Sequence, residues 1–237
     1  MSKKNKKSAS NSGNTPVNGS GCYSFITPKT QEQADALKTI DTNTISFLYG
    51  VPGTGKTTLA VGYALKDLVN SKISKVIITR PYVSAGENLG YLPGSLEEKF
   101  DPFFTPVRMC MEKIIGKSQL NKYLNFGHIL VLPVAYMRGV TFENCCVIMD
   151  EAQNSSIEQM HLVLTRVGQK CKLIITGDEF QTDIRTKKNG LSDAISRLGG
   201  IDRIGFCELS TVSCQRDLLV GEIDIKYKGQ IDKNKNL

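Results

Sequence analysis

The sequence predicts an α/β fold, a mostly parallel β-sheet wrapped by helices on both faces. Three observations carry the prediction. Short apolar runs rich in Ile and Val recur along the chain, segments of helical length separate them, and a glycine-rich pattern, GVPGTGKT from Gly50 to Thr57, follows the first run. Short, uninterrupted apolar runs are what strands buried on both faces look like. Their alternation with helices implies right-handed parallel crossovers.

In chain order, a helix is expected near 31–40. Strands follow near 44–49 (TISFLY), 75–79 (KVIIT), 128–131 (HILV), 145–150 (CCVIMD), 171–176 (CKLIIT) and 203–207. Helices fall between them near 55–70, 96–116, 156–167 and 190–198, and no internal repeat is visible. Residues 1–20 are Lys, Ser, Asn and Gly with almost nothing apolar, so they are expected to form a disordered basic tail. Residues 21–227 form the expected folded domain, and 228–237 a flexible C-terminal tail.

Composition narrows the class. The chain has 237 residues, 40% of them hydrophobic, enough for one sizeable core but not for two nucleotide-binding domains. No run approaches the roughly 18 apolar residues of a membrane-spanning helix, and none follows the N-terminal lysines as a signal peptide requires. No membrane association and a cytoplasmic location are expected. The seven cysteines (22, 110, 145, 146, 171, 207, 214) lack CxxC spacing and only two histidines are present, so buried thiols are expected rather than disulfides or zinc. The net charge of +7 resides largely in Lys3, Lys4, Lys6 and Lys7, leaving little excess on the folded body. That tail reads as a solvated arm or, alternatively, as a nucleic-acid tether.

The GVPGTGKT pattern lies between a predicted strand and a predicted helix, the context a phosphate-binding loop demands. Its small residues let backbone N–H groups turn inward around phosphates, while the helix beginning at Gly55 adds the positive end of its dipole. Gly50, Val51, Pro52, Gly53, Thr54, Gly55, Lys56, Thr57 and Thr58 are therefore the expected ATP contacts. Lys56 is expected to bridge the β- and γ-phosphates and Thr57 to ligate Mg2+. The strand at 145–150 stays apolar until Asp150-Glu151, at the strand edge where ligands bind. Asp150 is expected in the Mg2+ shell, and Glu151 as the group that orients or deprotonates the attacking water. The alternative is a pair of acids marking a helix N-terminus. Gln181, just after the strand at 171–176, is placed to sense a γ-phosphate, though a simple turn accounts for ITGDEFQ equally well.

The segments RPYVSAGENLGYLPG (80–94), EEKFDPFF (97–104), AYMRGV (135–140), MDEAQNSSIEQMHLVLTRVG (149–168), ITGDEFQTDI (175–184) and NGLSDAISRL (189–198) resemble the PhoH-like ATPases. These are relatives of superfamily 1 helicases with a single RecA-type core, and the match runs from about Thr27 to about Ile225. The resemblance implies a RecA-like P-loop NTPase in which Gln33 reads the adenine edge and Gln181 senses the γ-phosphate. Arg80 and Arg138 are implied as nucleic-acid contacts, with pairing to a local carboxylate such as Glu87 the alternative for Arg80. The sequence departs from the family at Ser213-Cys214-Gln215-Arg216-Asp217-Leu218, which keeps only the arginine of an Arg-His-Pro run. Arg216 is thus one candidate for a transition-state arginine and Arg166 its rival, a surface salt bridge being the alternative for each. No PIN nuclease domain is expected. A homo-oligomeric ring, a hexamer as the resemblance has it, would supply the second wall of the ATP cleft, with RNA or single-stranded DNA as partner. Tyr82, Tyr91, Phe103 and Phe104 are read as stacking on such a strand or, alternatively, packing on the core. Three functions remain open: a nucleic-acid motor or remodeller, a nucleotide-gated interaction module, and a small-molecule kinase.

Overall fold

A computed structural model describes residues 26–81, 96–179 and 189–215. Six strands form one sheet: β1 (Ile45–Gly50), β2 (Lys75–Thr79), β3 (Ile129–Val131), β4 (Cys145–Met149), β5 (Lys172–Gly177) and β6 (Ile204–Leu209). Their order is β3-β2-β4-β5-β1-β6, and every neighbouring pair is parallel. The helices are α1 (Gln31–Thr42), α2 (Lys56–Val69), α3 (Leu96–Ile115), α4 (Lys117–Asn125), α5 (Ile157–Leu164) and α6 (Gly190–Leu198).

Successive strand side chains point to opposite faces, and both faces are covered. Leu48, Val76, Ile78, Ile148 and Ile174 pack with the helices α1 to α4. Phe47, Ile77, Val147, Met149 and Ile175 pack with α5 and α6. This two-sided burial is why the strands read as continuous apolar runs rather than alternating ones. Phe104 is buried in the first of these cores, so that ring packs, whereas Tyr82 and Tyr91 lie outside the described residues.

Helix α4 is absent from the sequence expectation. The helix expected to 116 stops there because Gly116 adopts φ 79° and ψ 152°, and a new helix starts at the next residue. Leu120 of α4 is buried and Tyr123 and Leu124 pack partly buried beside it, a short apolar stripe at i, i+3 and i+4 that the sequence reading passed over. α5 ends at Leu164, short of the expected 167. Its start is fixed by a capping box in which the Ser156 hydroxyl accepts from Gln159 N and the Gln159 side chain accepts from Ser156 N.

Cys145, Cys146 and Cys171 are buried free thiols near the start of β4 and β5. Burial pushes the Cys146 thiol far up, keeping it protonated and inert. Among the described residues, no helix is long and apolar enough to cross a membrane.

With all strands running the same way, their C-terminal ends share one edge. The loop after β1 and the acids after β4 are separated there by β5 alone, about 10 Å at the usual strand spacing. That edge carries the chemistry.

Candidate functional site

The loop between β1 and α2 owes its shape to glycine. Gly50, Gly53 and Gly55 have φ of 121°, 80° and 89°, conformations that side-chain-bearing residues rarely adopt. Gly55 is the N-cap of α2 and supplies no side-chain cap. The first N–H groups of α2 are therefore left for an anion. Thr54 Oγ1 donates to Val51 O at 3.0 Å, and Lys56 Nζ donates to Gly50 O at 2.8 Å and Val51 O at 2.7 Å, folding the ammonium back over the loop.

Two outer segments brace this loop. On one side Gln33, 5% exposed, donates from Nε2 to Thr54 O at 3.0 Å while its Oε1 accepts from Lys29 N at 2.7 Å. On the other, Val51 N donates to Leu209 O at 3.1 Å and Gln215 N to Gly53 O at 2.9 Å.

The acids after β4 meet the loop across β5. Asp150, 4% exposed, accepts through Oδ1 from Thr57 Oγ1 at 2.8 Å and from Thr176 Oγ1 at 2.6 Å. Glu151 adopts φ 54° and ψ 43°, a left-handed conformation unusual for a glutamate. Its Oε1 lies 3.1 Å from Arg80 Nη2. Its Oε2 accepts from Gln153 Nε2 at 2.6 Å, and Gln153 Oε1 in turn accepts from Asp178 N at 3.0 Å. Farther along this edge, burial and the nearby Glu208 and Asp178 push the Glu179 carboxyl above its usual range.

Lys56, Thr57, Asp150 and Glu151 line a cavity of about 280 Å³. A larger one, about 620 Å³, lies at the opposite edge beside Lys72, Lys172 and Arg203. Its cations are partly spent: Lys172 Nζ donates to the carbonyls of Ile40, Asp41 and Asn43, and Lys72 lies 3.5 Å from Asp67. The smaller cavity, which holds the glycine loop and paired acids, is the candidate site. Its hydroxyl and carboxylate oxygens are hard donors, a set that fits Mg2+.

The family model described as PhoH-like protein matches residues 25–228 of this chain. The chain belongs to the PhoH-like protein family. It is 42% identical over 203 residues to a PhoH-like protein of Mycobacterium tuberculosis, covering 85% of this chain and 58% of that protein. It is also 42% identical over 206 residues to one of Bacillus subtilis, covering 86% and 65%. With protein PhoH of Escherichia coli the identity is 38% over 197 residues, covering 82% and 56%. The chain thus spans roughly three-fifths of the length of these relatives. Among solved structures, the Pif1 helicase of Candida albicans matches with a TM-score of 0.41 at 19% identity, covering 78% of this chain and 40% of that one.

In this PhoH-like chain, the structure brings Lys56, Thr57, Asp150 and Glu151 together and adds Arg80 to them. Arg80 does pair with a carboxylate, and that carboxylate is Glu151; Glu87 lies outside the described residues. Thr58 is exposed on the first turn of α2. Arg138 is exposed after a 3-10 turn, Val134–Met137, beside Tyr136, which is 55% exposed.

Arg166 is not brought to the loop of its own chain. Its carbonyl accepts from Phe142 N, ahead of β4, whereas Asp150 follows that strand. Their backbones therefore lie toward opposite ends of β4, a strand about 16 Å long. Gln181 and Arg216 lie outside the described residues. Two site residues escaped the sequence reading, Thr176 and Gln153. The available signal was a hydroxyl near the end of an apolar strand and an amide two residues past the acids.

Proposed function

We propose that this chain binds ATP with Mg2+, hydrolyses it, and works as an oligomeric motor or remodeller on RNA or single-stranded DNA. The observation that carries the ATP reading is the Thr57 Oγ1 to Asp150 Oδ1 contact of 2.8 Å. It joins the phosphate loop to the acid strand.

The backbone amides from Gly53 to Thr57 and the Lys56 ammonium hold the phosphates. Thr57 and Asp150 would hold Mg2+, which neutralises charge on the β- and γ-phosphate oxygens. Thr176 fixes the Asp150 carboxylate by a hydrogen bond of 2.6 Å. Glu151 orients the attacking water and accepts its proton, and Gln153 holds the glutamate's second oxygen in place. A glutamate beside the metal-binding aspartate favours transfer to water over transfer to a small-molecule hydroxyl.

Two variants test the site. Lys56→Ala is expected to abolish turnover and weaken nucleotide binding. Glu151→Gln is expected to retain ATP binding, read by fluorescent-nucleotide titration, while turnover falls about 10²- to 10⁴-fold. Normal turnover by Glu151→Gln rejects the assignment of the base. The polymer reading draws support from Arg138 and Tyr136, an exposed cation and an exposed ring two residues apart in sequence, the ring of a kind that stacks on a base. ATPase rates against RNA, single-stranded DNA and duplex at one fixed salt concentration test it, because phosphate contacts are salt-dependent.

A further inference from the structure

We propose that Arg80 is a positioning residue that restrains Glu151 at rest, and that a phosphodiester of bound RNA or single-stranded DNA releases it by taking over the guanidinium. The inference rests on the reading of the site as one that hydrolyses ATP. Strands β2 and β4 are neighbours with Thr79 opposite Met149, so the residues just past them share one edge. Asp150 N donates to Thr79 O at 3.0 Å, which locks that alignment.

Both carboxylate oxygens of Glu151 are engaged, Oε1 by Arg80 at 3.1 Å and Oε2 by Gln153 at 2.6 Å. To take a proton, the carboxylate must present a lone pair to water. The two restraints differ in access. Gln153 is 3% exposed and tied to Asp178 N, whereas the side chains of Arg80 and Glu151 are 27% and 37% exposed. Arg80 is therefore the restraint that an incoming anion can exchange. A partly exposed ion pair holds weakly, and a guanidinium fork binds phosphate oxygens as well as it binds a carboxylate. Polymer binding and the readiness of the base then become one event at Arg80.

The test measures Mg2+-ATP turnover of the full chain with no polymer, with an RNA oligonucleotide and with a single-stranded DNA oligonucleotide, for wild type, Arg80→Gln and Arg80→Lys. Arg80→Gln is expected to raise the polymer-free rate about two- to fivefold, the range open to a weak pair, with KM for ATP little changed and stimulation lost. Arg80→Lys, which keeps charge but not the fork, is expected to lie between and reads the effect even if Arg80→Gln folds poorly. The two polymer arms identify which nucleic acid acts. An unchanged polymer-free rate with lost stimulation overturns the restraint and leaves Arg80 a plain polymer contact. A rate lowered a hundredfold overturns it in favour of direct transition-state stabilisation, and a wild type that neither polymer stimulates also overturns it. A wild type no more active than Lys56→Ala sinks the ATP-hydrolysis reading itself.

Discussion

Gly50 and Glu151 both sit at positive φ, for different reasons. At Gly50, φ is 121° and a Cβ would lie 2.2 Å from Leu209 O, so a side chain meets both backbone strain and a carbonyl that cannot retreat. Gly50→Ala is accordingly expected to cost about 2–4 kcal/mol, seen as a lower midpoint in denaturant unfolding, with weaker nucleotide binding. At Glu151 the left-handed conformation costs a non-glycine residue about 1 kcal/mol, and the side chain ends between Arg80 and Gln153. The glycines, Lys56 and the adjacent acids were legible because each is a residue type that its chemistry requires at a fixed spacing. The Arg80 to Glu151 pair was not, since the partners are remote in sequence and meet only through the β2–β4 register. Gln33 shows the same gap: the family resemblance implies an adenine reader, while in the structure its amide braces the loop through Thr54 O and Lys29 N.

At the scale of elements, α1 is fastened to the segment after β6 by one carboxylate. Glu32 accepts from Ser210 N at 3.0 Å, Ser210 Oγ at 2.6 Å and the Ser213 hydroxyl. These bonds, that of the Ser210 side chain foremost, hold the Glu32 carboxyl below its usual 4.5. Because the folded state ionises Glu32 more readily than the unfolded chain, the stabilisation is complete above the unfolded value and fades as pH falls through the depressed one. Glu32→Gln is expected to lower Tm near neutral pH, with the gap to wild type closing as pH falls below the usual 4.5 and through the depressed value. A gap that stays constant across that range would show the carboxylate's charge to be irrelevant. This tie matters to the site because Leu209 and Gln215, either side of Ser210 and Ser213, bond the phosphate loop. The strands themselves were legible to within a few residues, since burial on both faces writes a continuous apolar run. Helix α4 and the β6 clasp were not, because they depend on one glycine dihedral and on hydroxyls that carry no hydrophobic pattern.

At the scale of the whole molecule, the two candidate arginines imply different assemblies around the proposed ATP site. Arg166 is half-buried at the edge away from the loop, donates from Nη2 to Thr165 Oγ1 at 3.1 Å, and has an Nε with no hydrogen-bond partner among the described residues. From there it serves a nucleotide only across an interface, on the loop of a neighbouring chain. Arg216, outside the described residues, is the rival for action within one chain. Removing a transition-state arginine typically costs 10³- to 10⁵-fold in rate, enough to separate the two by mixing. If Arg166 acts across a ring, Arg166→Ala and Lys56→Ala are each inactive alone. Mixed in equal amounts, they regain up to about a quarter of the wild-type sites, because one interface in four then joins an intact loop to an intact arginine. If Arg216 acts in its own chain, Arg216→Ala mixed with Arg166→Ala recovers nothing beyond the sum of the two, and Arg166→Ala alone keeps near-normal turnover. Sedimentation of the wild type with ATP bound decides the premise: a fully active monomer removes both the ring and Arg166 from the mechanism.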